Sequence, residues 1–180
     1  SIIVALELKV DVHRIQEALK EFCGIQRRFE FKGEGRGVRV FDDYGHHPAE
    51  IRATLRAAKE SIIDSGEGEG QLVVLFQPHR YTRTKDLFHE FGSSFSDADV
   101  LFVMDIYPAG ERPIEGVSSA ALVKEVIVQG HKDATHLHEK NAVVDAVIKR
   151  LRPGDLFITI GAGDVWKTGE ELLRKMGEGR

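Results

Sequence analysis

At 180 residues and 20.1 kDa the chain can bury the core of one ordinary domain, or of one domain with a piece of another. Its 42% apolar and 30% charged residues suit a soluble globular protein, and 25 basic against 29 acidic side chains leave a net charge of −4, which argues against nucleic acid or an anionic membrane as main partner. The lone Cys23 excludes an internal disulfide and a cysteine-built zinc site and fits a reducing, cytoplasmic setting; no apolar run approaches the ~20 residues of a membrane span, and no basic signal-peptide segment opens the chain.

The chain opens in mid-pattern on SIIVALEL without an initiator Met, so it is expected to continue something that precedes it. Residues 2–8 read as the end of an apolar helix. Asp11 suits the N-cap of a helix over 12–22, whose Val12, Ile15, Ala18, Leu19 and Phe22 share one face, and Gly24 closes it. Two short helices cannot bury that stripe alone, so residues 1–24 are expected to belong to a neighbouring domain and 25–180 to form the domain proper. IQRRFEF (25–31) reads as a connector into a strand and KGEGR (32–36) as a tight turn. A β-branched strand over 37–41 then delivers FDDYGHHPAE (41–50). This strand-to-helix turn carries carboxylates, a phenol and two imidazoles to the positive end of a helix that starts near Pro48.

Beyond it strand and helix alternate. The pattern predicts a helix over 49–63, an acidic loop SGEGEG (65–70), an apolar strand over 72–76, a helix over 83–95, a strand over 100–106 and a long loop through Gly116. A helix capped by Ser118 and Ser119 follows to Gln129, then a short strand over 135–137, a helix from an Asn141 cap to Leu151, a strand over 155–160 and a helix over 165–176. Strands apolar on both faces are covered from two sides. The predicted fold class is therefore α/β: a three-layer, Rossmann-like, mainly parallel sheet with right-handed crossovers and helices on both faces.

Ligands of such a sheet sit at the carboxyl ends of its strands, and there the polar residues gather. Asp42, Asp43, Tyr44, His46 and His47 follow one strand, QPHRYTRT (77–84) the next, YPAGE (107–111) the third and GAGD (161–164) the last. Arg80 and Arg83, three apart, fit one side of a helical first turn, where a guanidinium pair would clamp a carboxylate; the alternative is a pair of surface arginines matched to Asp86 or Glu90. Asp43 suits either acceptance from ribose hydroxyls or capping of the helix through Pro48. Adjacent His46 and His47 point opposite ways in an extended turn, and His79, His131, His136 and His138 have weaker cases still, so no metal site is expected. GAGD is either a short phosphate-binding turn or a close strand-to-helix contact, and YPAGE reads as a plain Pro-Gly turn. No nucleophile motif and no phosphate loop of the G-x-x-x-x-G-K-[ST] kind occurs in the chain.

DDYGHHPAEI, FQPHRYTRT, DIYPAGE and ITIGAGDV, in this order and preceded by GIQRRFEF, resemble the carboxy-terminal domain of the Mur ligases of peptidoglycan synthesis, in the branch that adds L-alanine. The likeness spans 24–166. The branch that adds a tripeptide to recycled UDP-muramic acid is similar in the DD-x-x-HHP turn but not in HRYTRT. The resemblance implies a three-domain ATP-dependent ligase, of which this chain matches the third domain and residues 1–22 the tail of the central ATPase. In that reaction ATP phosphorylates the lactyl carboxylate of UDP-N-acetylmuramate, the amine of L-alanine attacks the acyl phosphate to form an amide, and Mg2+ balances the phosphates. By position it assigns Arg28 and Asp43 to ATP and His46, Arg80, Arg83 and Tyr44 to L-alanine, with no catalytic residue and no metal ligand on this chain. The phosphate loop and the Mg2+ ligands are expected on the amino-terminal and central domains, its partners in one protein, with a closure hinge near 24–28. The competing expectation is a stand-alone Rossmann-like nucleotide-binding or regulatory module, in which DDYGHHP only caps a helix.

Overall fold

The computed structural model describes residues 2–21, 25–64, 70–138 and 142–177. In chain order the elements are α1 (Ile2–Glu7), α2 (Val12–Glu21), β1 (Glu30–Gly35), β2 (Val38–Asp43), α3 (Pro48–Asp64), β3 (Leu72–Phe76), α4 (Tyr81–Asp86) and α5 (Phe88–Gly92). They continue as β4 (Val100–Met104), α6 (Ser119–Val128), β5 (Ala134–Leu137), α7 (Val143–Ile148), β6 (Leu156–Ile160) and α8 (Trp166–Gly177). One six-stranded sheet runs in the order β1-β2-β6-β3-β4-β5. Only the β1–β2 pair is antiparallel; β2–β6, β6–β3, β3–β4 and β4–β5 are parallel.

The runs LVVLF, VLFVM and LFITI are buried throughout, as strands covered on both faces must be. Alternation divides their side chains between two cores. On one face Leu72, Val74, Phe76, Leu101, Val103, Leu156, Ile158 and Ile160 pack under α3, α5 and α6, with the Phe91 and Phe95 rings 5.6 and 5.1 Å from that of Phe76. On the other, Val73, Leu75, Val100, Phe102, Met104 and Phe157 pack with Val38 and Val40 under α7 and α8. The three-layer, mainly parallel α/β class read from the sequence is the one observed.

Several local expectations are corrected. The strand before the polar turn reaches Asp43, so Asp42 and Asp43 are strand residues rather than turn residues. KGEGR is not a turn up to Gly35: β1 continues to that residue, and the reversal is made by Arg36 and Gly37 at φ 52° and 74°. The glycine reads as a turn former but serves a crossing helix, since a Cβ on Gly35 would stand 3.1 Å from the Met176 side chain of α8. The helix expected over 83–95 starts at Tyr81 and breaks at Leu87, whose φ of −113° and ψ of 24° separate α4 from α5. Ser118 does cap α6, its hydroxyl accepting from the Ala121 N–H at 3.1 Å. Cys23, Gly24, the Asn141 cap and the acidic stretch 65–69 lie outside the described residues.

α1 and α2 bury none of their residues, and Ile3, Val4, Leu8 and Val12 stay exposed. Among the described residues no helix is long and apolar enough to cross a membrane.

Candidate functional site

β2, β6, β3 and β4 are parallel neighbours, so their carboxyl ends open side by side on one rim. The chain moves outward from β3 through β4 to β5, then returns to place β6 on the other side of β3. That reversal puts the topological switch point between β3 and β6, in the middle of the rim.

The floor of the rim is built by Arg27. Its Nε donates to Asp42 Oδ2 at 2.8 Å, and its two Nη atoms donate to the Gly161 and Gly163 carbonyls at 2.6 and 3.3 Å. Asp42 is buried and also accepts from the Thr159 hydroxyl at 2.6 Å, so one arginine ties β1's lead-in to β2 and the β6 loop. The glycines of GAGD are needed for close approach: a Cβ on Gly163 would stand 2.5 Å from Gln77 Oε1 and 3.0 Å from the Tyr107 ring. These contacts are to the loops after β3 and β4, so the glycines serve a loop-to-loop approach, which is neither of the two readings of GAGD.

The β2 turn is held by two carboxylates. Asp43, buried, accepts from the Gly45 and Phe29 N–H groups at 2.7 and 2.8 Å, which neither caps α3 nor leaves the carboxylate to solvent. The cap is Glu50, whose Oε2 accepts from the His46 and His47 N–H groups at 3.0 and 3.2 Å. Burial raises the Glu50 carboxyl, but the two backbone donors, with the charges of His46 and Arg28, outweigh it and hold it below its ordinary value. Tyr44 lies against both arginines of the RR pair, with Arg27 Cζ 5.0 Å and Arg28 Cζ 5.9 Å from its ring centroid. Arg28, half exposed, reaches Glu50 at 3.5 Å.

From this turn the rim continues onto β3's loop. The His46 ring lies 5.5 Å from Tyr44 and 6.3 Å from His79. His79 forms a parallel bridge with Tyr107, and the two rings stack at 5.5 Å and 8°. Arg83 Nη1 is 3.2 Å from His79 Nδ1, and since a guanidinium only donates, Nδ1 accepts and the neutral ring carries its proton on Nε2. Burial lowers the His79 pKa, and the positive charges of Arg83, His46 and Arg80 lower it further.

Arg80 departs from the spacing argument. It precedes α4 with φ 73° and ψ 138°, outside the helix, so the pair is not set by one helical turn. Its backbone is pinned instead: the N–H donates to the Tyr107 carbonyl at 2.8 Å, and its carbonyl accepts from the Thr84 hydroxyl at 2.8 Å. The Arg80 guanidinium stands 3.8 Å from Glu111, not against Asp86 or Glu90. Glu111 is held below its ordinary pKa first by the Thr82 N–H at 3.0 Å and then by the Thr82 hydroxyl at 2.7 Å. YPAGE is a turn, closed from Glu111 N–H to the Pro108 carbonyl at 2.9 Å, and it is also the arm that delivers this carboxylate.

Residues 27–163 match the family described as Mur ligase, glutamate ligase domain. The chain belongs to that family. It is 51% identical to the UDP-N-acetylmuramate–L-alanine ligase of Geotalea uraniireducens over 176 residues, which cover 98% of this chain and 37% of that protein. It is also 51% identical to the ligase of the same name from Geobacter sulfurreducens, over 99% of this chain and 38% of the relative. Among solved structures, the UDP-N-acetylmuramate-alanine ligase of Thermotoga maritima superposes with a TM-score of 0.80 at 25% identity, covering 99% of this chain and 36% of that one. A murein peptide ligase from Psychrobacter arcticus, 23% identical, shares the fold with a TM-score of 0.67 over 89% of this chain and 32% of its own. The chain thus spans a little over a third of the length of the curated relatives it matches.

On this Mur ligase domain the residues singled out from the sequence fall on one rim: Tyr44, His46, Arg80 and Arg83 along its crest, Arg28 beside Glu50, and Asp43 beneath the turn. Sequence reasoning passed over Arg27, the better-anchored half of the RR pair, and treated His79, Tyr107, Thr82 and Glu111 as background. Arg83 four residues after His79 is the one local signal that pointed to their bond. The Tyr107 stack and the Glu111 contact come from another strand and left no local trace.

Proposed function

We propose that this chain is the carboxy-terminal domain of a cytoplasmic, ATP-dependent ligase that joins L-alanine to UDP-N-acetylmuramate. Residues 25–180 form that domain, and α1 and α2 are the tail of the central one. The names of relatives 51% identical over nearly the whole chain support the reaction, and the fraction of their length that is covered supports assigning the remaining steps to other domains. The observation that carries the reading at residue level is the path from Tyr44 through His46 and His79 to Arg83, which joins the two loops into one wall ending on the Arg83 guanidinium.

His46, Arg80 and Arg83 bind the alanine carboxylate, and Tyr44 lines the cleft. Held neutral, His79 takes one Arg83 hydrogen and so fixes the direction of the fork without adding a charge that would compete for the anion. Glu111 holds Arg80 until substrate arrives. Arg28 contacts ATP from the closing side; Asp43, saturated by two N–H groups, acts through the shape of the turn. With the carboxylate fixed, the alanine amine is aimed at the acyl phosphate formed on the sugar substrate, and closure over the central domain excludes water from that phosphate. The rim's own acids, Asp42, Asp43, Glu50 and Glu111, are already engaged by nitrogen or hydroxyl donors. With their oxygens taken up by those donors, these four do not fit Mg2+, which binds through free carboxylate oxygens and water, so its ligands are assigned to the central domain.

Steady-state kinetics of the full-length enzyme test this. Arg80→Ala and Arg83→Ala each remove a charge-assisted contact worth roughly 1.5–3 kcal/mol, so the alanine KM rises about 10- to 100-fold while the ATP KM moves little. Equal rises in both constants would make the arginines structural.

A further inference from the structure

The geometry points to a second site, for a borderline divalent transition-metal ion of the Zn2+ type, formed by Asp105, His136 and His138 at the β4–β5 end of the rim. Its basis is the parallel register, independent of the ligase reading. Val103 pairs with His136 and Met104 with Leu137, so Asp105, the next residue, comes level with His138. Alternate residues of a strand share a face, which brings His136 and His138 to one side of β5.

The side chains meet there. His136 Nε2 is 2.7 Å from Asp105 Oδ1 and His138 Nδ1 is 2.7 Å from Asp105 Oδ2, so two imidazoles address the two oxygens of one carboxylate. All three donor atoms lie within 4.8 Å of one another. Ligands held at about 2.0–2.2 Å from a tetrahedral ion stand roughly 3.4 Å apart, inside that span. Asp105 and His138 are 52% and 80% exposed and can re-aim by rotamer alone, while His136, 24% exposed, is the anchor. On binding, each ring presents a nitrogen lone pair to the ion, and the N–H protons now shared with Asp105 pass to water or to the other ring nitrogen.

The donor set chooses the ion. Two imidazoles and one carboxylate suit Zn2+, Co2+, Ni2+ or Cu2+; Mg2+ and Ca2+ prefer oxygen throughout. Three protein ligands leave a fourth corner for water. A cleft of about 210 Å³ lies alongside, lined by Asp105 and His138 together with Gln77 and Tyr107. Gln77, which shares this lining, is buried with an Oε1 that has no hydrogen-bond partner among the described residues.

The test is calorimetric titration of Zn2+ into the 180-residue chain, stripped with EDTA and dialysed, in a Cys23→Ser background that removes the competing thiol. One equivalent binds with about micromolar affinity, Mg2+ at the same concentration gives no heat, and Co2+ gives the visible absorption of a four-coordinate site. Asp105→Asn and His138→Ala each weaken Zn2+ by roughly tenfold or more. Both positions are exposed, so melting in EDTA stays at the parent temperature and reports that the fold is intact. His89→Ala, which removes a ring paired with Glu125 elsewhere, leaves the isotherm unchanged. The absence of stoichiometric Zn2+ binding overturns the proposal, and so does binding that Asp105→Asn and His138→Ala leave intact.

Discussion

Arg80 holds a backbone conformation, φ 73° with ψ 138°, that side-chain-bearing residues avoid. Hydrogen bonds to the Tyr107 carbonyl in the loop after β4 and from Thr84 of α4 keep it there, and the result is an arginine projected at the rim. Glycine adopts such angles without penalty, so Arg80→Gly is expected to exceed Arg80→Ala in stability by about 1 kcal/mol, read from denaturant midpoints, although both lose the guanidinium. Equal stabilities would mean that the strain is absent. A second residue-scale consequence concerns protons. His79 and His131 are both lowered from the ordinary imidazole value chiefly by burial. Each therefore binds protons more weakly folded than unfolded, so stability rises with pH up to about 6.5 and levels above it. Thermal melts between pH 5 and 7 are expected to show this slope, and His79→Gln to reduce it; a slope untouched in a His79→Gln, His131→Gln double variant would place its origin elsewhere. At this scale the sequence was only half legible. Residue types and their gathering at strand ends were visible in DDYGHH and HRYTRT, but nothing local distinguishes Arg27 from Arg28, because the choice is made by Asp42 and two carbonyls more than a hundred residues downstream.

Among elements, the legible ones were those that carry their own signal. β3, β4 and β6 are apolar runs whose burial on both faces follows from composition, and α3 and α8 show helical spacing. β1 failed because its glycines answer to α8, a contact across the sheet, and the α4–α5 break failed because the residue at the junction is an ordinary leucine. The element that most constrains the rim is the lead-in to β1, clamped by Arg27. Replacing Arg27 with Leu leaves Asp42 buried with the Thr159 hydroxyl as its remaining side-chain partner among the described residues, and is expected to cost about 3 kcal/mol, read as a shift of the urea midpoint. A change below about 1 kcal/mol would show that the pair contributes little beyond packing.

For the molecule as a whole, the alternating pattern was enough to place four loops on one edge, since parallel strands give no other choice. Where His136 and His138 would meet a carboxylate was not readable, because Asp105 is remote in sequence and joins them only through the β4–β5 register. The proposed division of labour also has a whole-molecule test: the purified chain is expected to fold, yet to show no ATP-dependent formation of the alanine amide. Measurable ligation by it alone would refute that division.

The strand order carries a consequence for biosynthesis. β6, which joins β2 to β3 and whose loop seats Arg27, leaves the ribosome after the five other described strands of the sheet. Until residue 160 has emerged, β2 and β3 have no common neighbour, and two half-sheets with bare inner edges must wait in the nascent chain. Closure of the sheet and completion of the rim are therefore one late event, so an early-terminated product lacks both at once.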